Sequence, residues 1–140
     1  MALKISTREV WAATLKDKPG GLAAALEALS RAGANLEFLI ARRSPEKRGQ
    51  GVVFVTPIGK KQAQAAKRAG FSPSEALYSV RIEGKNQSGL GSQVARALAK
   101  QKLNLRGFSG AAIGNRAVLY IALDNRNDAA VAVRTLKALK

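Results

Sequence analysis

Apolar and polar positions along the chain follow two patterns, one with the period of a strand and one with the period of a helix. The apolar run from Val10 to Leu15 ends at turn residues and predicts a strand, which Ala2 to Thr7 extends or precedes as an edge strand. Leucines then recur at helical spacing, at Leu22, Leu26 and Leu29. The pattern stops at Gly33, so a helix of about three turns follows the first strand.

Two more strands and a helix complete the first half. The apolar runs Leu36 to Ala41 and Gly51 to Thr56 are separated by a polar, turn-rich segment, which favours an antiparallel pair. The segment Lys60 to Ala69 is rich in helix-forming residues, and Gly70 stands where a C-terminal glycine cap belongs. The first half therefore has the order β-α-β-β-α.

The second half repeats this order. Leu77 to Glu83 alternates between apolar and polar residues, which predicts a half-buried strand whose sheet exposes one face. The next helix has apolar residues spaced by four, at Leu90, Val94 and Leu98. Leu103 to Ala111 and Ala117 to Leu123 form a hairpin across Gly114-Asn115. A last helix carries Ala132, Val133, Leu136 and Leu139.

Three side chains are predicted helix caps because each precedes or opens a helical pattern. They are Asp17 for the first helix, with Pro19 in its first turn, Ser88 for the third helix and Asp128 for the last.

The repeated order indicates an α+β fold of two ferredoxin-like (βαββαβ) repeats, with antiparallel sheets and helices on one face. We expect a first domain at 1–72 and a second, with a more divergent loop, at 73–140. Phe71 to Ala76 is available as the fourth strand of the first repeat, whereas Ala2 to Thr7 completes the second by strand exchange between repeats. Halves this small bury little apolar surface alone, so a homodimer or higher homo-oligomer is expected.

A glycine loop precedes the first helix of each half. The two loops are Asp17-Lys18-Pro19-Gly20-Gly21-Leu22 and Asn86-Gln87-Ser88-Gly89-Leu90, and each is followed by an Asn-Leu pair, Asn35-Leu36 and Asn104-Leu105. Matching Leu22 with Leu90 gives a repeat interval of 68 residues. Backbone N–H groups at a helix start can hold a carboxylate or phosphate, so both loops are candidate binding sites.

The chain resembles the ACT domain family over nearly its whole length, and it resembles a stand-alone tandem pair of these domains. The resemblance in the first half is carried by the loop Asp17 to Leu22, the segment Arg31 to Leu36 and the strand Val52 to Val55. In the second half Lys85 stands at the place of Asp17, while Gln87 and Ser88 replace Pro19 and Gly20. The resemblance implies a non-catalytic regulatory protein that binds an amino acid or similar anionic metabolite at the interface between ACT-like domains.

The ligand residues that the resemblance implies lie at the loop between first strand and first helix. They are Asp17, Lys18, Pro19, Gly20, Gly21, Leu22, Asn35 and Leu36, with a weaker second site at Gln87, Ser88, Gly89, Leu90 and Asn104. The backbone near Gly20 and Gly21 would hold an α-carboxylate, Asp17 would take the ammonium, and Asn35 would orient the loop or the ligand. Purely structural roles stay open for each, as a cap, a tight approach or a turn.

Composition narrows the chemistry. The chain has no cysteine and no histidine, which argues against thiolate nucleophiles, hydrolytic triads and zinc sites. We therefore expect no enzyme activity, no cofactor and no metal, and a separate effector protein for any output. No apolar stretch resembles a signal peptide or spans a bilayer, so a cytoplasmic protein without membrane contact is expected.

The formal charge of +15 raises an alternative function. Residues 1–70 carry 13 basic and 5 acidic side chains, and residues 71–140 carry 11 and 4, so the excess is spread evenly. The segment Arg48-Gly49-Gln50-Gly51-Val52-Val53-Phe54-Val55 is faintly similar to the RNA-recognition pattern, although Gln50, Val52 and Val55 replace its aromatics. A basic ferredoxin-like RNA-binding protein is thus the disfavoured alternative.

Overall fold

The computed structural model describes residues 2–139, apart from the side chains of residues 75–77. The elements in chain order are β1 (Lys4–Lys16), α1 (Gly21–Arg31), β2 (Phe38–Arg43), β3 (Gln50–Thr56), α2 (Ala63–Arg68), β4 (Ser72–Lys85), α3 (Leu90–Lys100), β5 (Leu105–Ile113), β6 (Arg116–Leu123) and α4 (Arg126–Lys137). This is the predicted α+β order. The terminal residues Met1 and Lys140 of the two predicted domains, and the side chains of Glu75, Ala76 and Leu77, lie outside the described part.

The chain divides into two compact units. The central unit consists of residues 9–74, and the terminal unit combines residues 2–8 with residues 75–139. Two long strands, β1 and β4, each contribute residues to both units. The sequence-predicted boundary between residues 72 and 73 falls inside β4 and stays a prediction.

The central unit has its sheet strands in the order β2-β3-β1, followed by the first residues of β4. β3 pairs antiparallel with β1 and with β2, with Trp11 opposite Val55 and Phe38 opposite Thr56. Helices α1 and α2 cover one face of this sheet because alternate strand residues point toward them. Their common core consists of Trp11, Ala13, Leu29, Val53, Val55, Ala66 and Phe71.

The terminal unit has the order β1-β4-β6-β5, in which β1 is represented by residues 4–8. Its core is formed by β4, β6, α3 and α4, and includes Val80, Ile82, Val94, Leu98, Ile121, Leu123, Ala132 and Leu136. Leu3 and Ile5 pack against this core from the far end of the sequence. The predicted strand exchange is therefore confirmed, since the N-terminal segment completes the sheet of the second repeat.

Three glycine predictions agree with the backbone. Gly33 and Gly70 follow α1 and α2 with positive φ angles of 88° and 96°, as C-terminal caps require. Gly114 has φ 60° in the hairpin between β5 and β6. In the third helix the same position is taken by Lys102 with φ 59°, so glycine is not obligatory there.

The predicted helix starts are wrong for three helices. Helices α1 and α3 begin after Gly20 and Gly89, which have left-handed backbones, and neither start receives a hydrogen bond from a capping side chain. Asp17 and Ser88 are therefore not caps, and Pro19 precedes the helix instead of lying in its first turn. At α4 the cap is Asn125, whose side chain accepts from the backbone N–H of Asp128 at 2.8 Å.

Several element bounds also differ from the predictions; for example, β4 begins at Ser72 and β5 at Leu105, where the sequence predicted Leu77 and Leu103. Helix α2 is shorter than the predicted segment 60–69 because residues 60–62 form a turn. Strand β2 begins at Phe38, so Leu36 belongs to the connection before it and packs against the central core.

The face of the terminal sheet away from the helices carries a charged network and is less open than predicted. Arg81 donates hydrogen bonds to the hydroxyl of Tyr120 at 3.1 Å and to Glu83 at 2.9 Å, while Arg116 reaches Glu83 at 3.3 Å. Only 18% of the Arg81 side chain is exposed, and Ser79 is buried. The hydrogen bonds from Arg81 and Arg116 lower the pKa of Glu83 below its ordinary value of 4.5.

We expect Glu83→Gln to lower the thermal midpoint at neutral pH, because the charged carboxylate is stabilised in the folded state. Since the folded pKa is depressed, this stabilisation is present above pH 4.5 and is lost as the pH falls below it. Melting curves of both proteins between neutral and acid pH should converge at the acid end. The control Glu27→Gln removes an exposed pair with Arg31, whose 3.7 Å separation and exposure predict a smaller effect. A constant difference at all pH values would contradict the electrostatic account.

Candidate functional site

The loop between β1 and α1 is held from both sides. The backbone N–H of Asp17 donates to the carbonyl of Gly49 at 3.0 Å, and its carboxylate contacts Nε of Arg43 at 2.9 Å. Within the loop Gly21 donates to the carbonyl of Lys18 at 3.1 Å. The loop is therefore fixed against the turn between β2 and β3 before any ligand is considered.

Both glycines of this loop are required by the backbone. Gly20 has φ 87°, a conformation that is costly for residues with a side chain. At Gly21 a side chain would overlap the carbonyl oxygen of Lys16. Their presence is thus explained by local geometry, independently of a ligand.

The start of α1 leaves backbone donors available for an anion. The first helical hydrogen bond runs from Ala24 to the carbonyl of Gly20 at 3.0 Å. The N–H groups of Leu22 and Ala23 precede this bond and have no acceptor one turn earlier in the helix. No side chain caps the helix. These N–H groups and the positive end of the helix dipole favour a carboxylate here.

An open groove of about 560 Å³ lies beside this loop in the central unit. Its residues come from the end of β1, the loop, the small-residue face of α1 and the end of α2: Thr14, Leu15, Lys16, Lys18, Pro19, Gly20, Gly21, Ala24, Ala25, Ala28 and Ala69. The ionisable side chains in this set are the lysines Lys16 and Lys18, so its electrostatic character is positive.

Four of the eight residues predicted for the first site line the groove. They are Lys18, Pro19, Gly20 and Gly21. Leu22 instead packs against the central core, and Asp17 lies outside the lining in its ion pair with Arg43.

The structure places Asn35 and Leu36 away from the loop. They precede β2, whose first residue Phe38 pairs with Thr56 at the end of β3. The loop follows Lys16, which pairs with Gln50 at the start of β3. Six residue steps along a strand separate these two ends by about 20 Å. Asn35 therefore does not orient the loop.

The sequence analysis did not identify the alanines Ala24, Ala28 and Ala69 that line the groove, which we call the alanine wall. Ala24 and Ala28 are spaced by one helical turn on α1, and Ala69 follows α2. Small residues at positions i and i+4 leave space beside a helix, so this spacing was the available signal.

The second loop has the same backbone but a different alignment from the predicted one. Gly89 has φ 86° before α3, as Gly20 has before α1, so the structural interval is 69 residues and not 68. Asn86, and not Lys85, occupies the place of Asp17. The N–H of Asn86 donates to the carbonyl of Asn115 in the turn between β5 and β6, just as the N–H of Asp17 donates to the carbonyl of Gly49 in the turn between β2 and β3. Gly89, the glycine that the second loop shares with the first, is therefore the one that the left-handed backbone requires.

A second open groove, of about 420 Å³, adjoins this loop in the terminal unit. Of the predicted second site it contains Gln87, Gly89 and Leu90, together with the partly exposed ring of Phe108. Ser88 is absent from its lining, and Asn104 lies before β5 at the other end of α3. The lining has no charged residue, so it lacks the carboxylate-directed lysines of the first groove.

Residues 13–69 match the family model of the ACT domain. This segment of the chain is similar to an ACT domain. The matched residues contain the first loop, the groove and most of the central unit. The match supports a regulatory, ligand-binding role in general, and a regulatory rather than a catalytic domain.

Solved structures share the fold along almost the whole chain. The protein BT0572 from Bacteroides thetaiotaomicron is similar with a TM-score of 0.78 and 18% identity, covering 95% of this chain and 90% of its own. The ligand-free regulatory subunit of aspartate kinase from Thermus thermophilus has a TM-score of 0.64 and 18% identity, covering 99% and 95%. The regulatory subunit of aspartate kinase from Thermus flavus has a TM-score of 0.58 and 20% identity, covering 97% of this chain and 94% of its own. At these identities the likeness concerns the fold alone.

No curated protein matches the chain by sequence. Among residues 2–139, no helix is long and apolar enough to cross a membrane. In the same described part, no cluster of three or more acidic, histidine or cysteine side chains has the arrangement of a metal site.

The glycine substitutions separate backbone requirements from ligand contacts. Gly20→Ala and Gly89→Ala should each lower the free energy of unfolding by about 1–2 kcal/mol, because both residues have left-handed backbones. Gly91→Ala is the matched control within α3, where an added methyl meets only the Phe108 ring at an ordinary 3.9 Å. It should raise stability by about 0.5–1 kcal/mol. Urea unfolding measures all three, and unchanged stability of the first two would refute the backbone explanation.

Proposed function

We propose that the central ACT domain binds an amino acid or a similar anionic metabolite in the groove beside Gly20 and Gly21. The observation that carries this proposal is the combination of unused backbone donors with a positively charged groove. The N–H groups of Leu22 and Ala23 and the side chains of Lys16 and Lys18 are all suited to a carboxylate. The alanine wall accommodates a small apolar side chain of the ligand.

The proposed role of Asp17 changes with the geometry. An ammonium group that reached this carboxylate would compete with Arg43, which already contacts it at 2.9 Å. We therefore assign Asp17 to the position of the loop, and the ligand carboxylate becomes the principal recognised group. The second groove, which lacks charged residues, is the weaker binding site of the two.

The proposed protein is non-catalytic and acts by a population shift. A bound metabolite favours the conformation that binds it more tightly, and its influence equals the difference in binding free energy between conformations. The open groove also suits closure by a second copy, in line with a homodimer or higher homo-oligomer. A separate effector protein, in the cytoplasm, would receive the signal.

Thermal unfolding in the presence of each of the twenty amino acids tests the ligand. A ligand that binds only the folded state at 100 times its Kd adds about 2.7 kcal/mol to the free energy of unfolding. We expect a rise in midpoint with one amino acid or a small chemically related group. No rise with any of them at millimolar concentration would contradict amino acid binding.

A matched pair of α1 variants locates the site. Ala24 and Ser30 are both exposed on α1, but only Ala24 lines the groove. Ala24→Leu should fill the groove and abolish the ligand-dependent rise, whereas Ser30→Leu should retain it. Both changes introduce leucine, a good helix former, at an exposed helix position, so the unliganded midpoints should stay similar. Equal loss in both variants would place the ligand elsewhere.

A further inference from the structure

The even spread of charge along the sequence conceals a basic cluster at one end of the central sheet. The turn between β2 and β3 and the end of β2 contain Arg42, Arg43, Lys47 and Arg48, which we call the basic hairpin. All four are exposed. Residues 42–48 contain a single acidic residue, Glu46.

The fold adds two more cations to this end. Lys16 pairs with Gln50, which follows the hairpin turn, and the N–H of Asp17 donates to the carbonyl of Gly49 at 3.0 Å. Lys16 and Lys18 are thereby brought beside the basic hairpin. The intervening carboxylate of Asp17 is neutralised by Arg43. Six cations against two carboxylates, one of them already paired, create a strong positive potential that attracts polyanions.

An aromatic surface adjoins this cluster on the sheet face away from the helices. Val53 and Val55 enter the core, so the alternation of β3 places Phe54 on the other face, where it is partly exposed. The guanidinium of Arg42 lies 5.9 Å from the centre of the Phe54 ring. Across the sheet, Phe54 lies opposite Ala12 on β1 and Ile40 on β2. Ala12 is small, and Ile40 is 40% exposed.

This arrangement supplies both components that single-stranded nucleic acid requires. Exposed cations attract the phosphates, and aromatic rings and arginine planes stack on bases without regard to sequence. Phe54 occupies the variable position of the segment that faintly follows the RNA-recognition pattern, two residues after Val52 and on the same face. The RNA-recognition pattern lacks its usual aromatic residues in this segment, and the ring of Phe54, at a position where the pattern requires no aromatic, partly compensates for them.

We propose that the basic hairpin and the Phe54 face bind single-stranded RNA, as a function in addition to metabolite binding in the groove. An acidic peptide would use the charges but not the ring. The partly exposed Phe54 beside Arg42 is the observation that favours RNA over an acidic peptide.

Fluorescence anisotropy with a labelled single-stranded RNA of about 12 nucleotides tests the proposal on the full chain, since site sizes of this class are about 4–16 nucleotides. We expect binding at low salt whose logarithmic affinity falls linearly with the logarithm of salt concentration. No binding at about 50 mM salt, where phosphate contacts are strong, would overturn the proposal.

Paired charge variants assign the surface. Neutralising Lys47 and Arg48 to glutamine should weaken binding at least about tenfold and reduce the salt slope by about 1.4, since each single-strand phosphate contact contributes about 0.7. The matched control neutralises Lys60 and Lys61, two exposed lysines that follow the opposite end of β3. The control should keep its affinity within a factor of two or so. An equal loss of RNA affinity in both double variants would overturn the assignment of binding to the basic hairpin, since net charge alone would then explain it.

Phe54→Leu tests the stacking component while retaining an apolar side chain on the sheet. It should weaken RNA binding about five- to tenfold and leave the salt slope unchanged. A glutamate peptide of matched charge should bind less tightly than RNA and should be indifferent to this change. If the peptide binds as well as RNA and Phe54→Leu has no effect on either, the surface recognises acidic polymers and the RNA assignment is wrong.

Discussion

The fold depends on the sharing of two long strands between its units. β1 runs without interruption from Lys4 to Lys16, and its residues contribute to both cores. Ile5 packs in the terminal unit together with Leu3, which precedes the strand, and Trp11 and Ala13 pack in the central unit. β4 likewise contributes to both. Each βαββα half would otherwise lack a fourth strand, and the exchange supplies that strand without additional sequence.

Most of this architecture could be predicted from periodicity. The apolar alternation and the helical leucine spacing located the elements, and the missing fourth strand indicated exchange. Helix starts could not be predicted as well, because a left-handed glycine and a capping side chain leave similar sequence signals. Helices α1 and α3 begin directly after the left-handed residues Gly20 and Gly89. Asp17 does not cap α1, and its carboxylate pairs with Arg43 instead.

The candidate site was predictable where residues are contiguous and was missed where distant segments meet. Lys18 to Gly21 follow one another and line one groove. The alanine wall and the ion pair with Arg43 depend on the packing of α1 and on the pairing of β3 with both neighbours, which no local pattern specifies. Asn35 illustrates the reverse case, since it follows the loop closely in sequence but lies beyond the other end of the helix. The family resemblance pointed to the loop, which lies within the segment that matches the ACT domain model, whereas the residues that gather around the loop are determined by three-dimensional packing.

The shared strands also affect how the protein can be synthesised and shortened. The terminal unit is assembled from segments on either side of the complete central unit, so its sheet closes only after residues far apart in the sequence have met. Such nonlocal closure slows folding relative to contacts between neighbouring segments. Cutting the chain between the two halves would deprive the second half of the N-terminal strand residues that complete its sheet, and of the packing of Leu3 and Ile5 against its core. The repeats are consecutive as sequences, but neither is an independently transferable module.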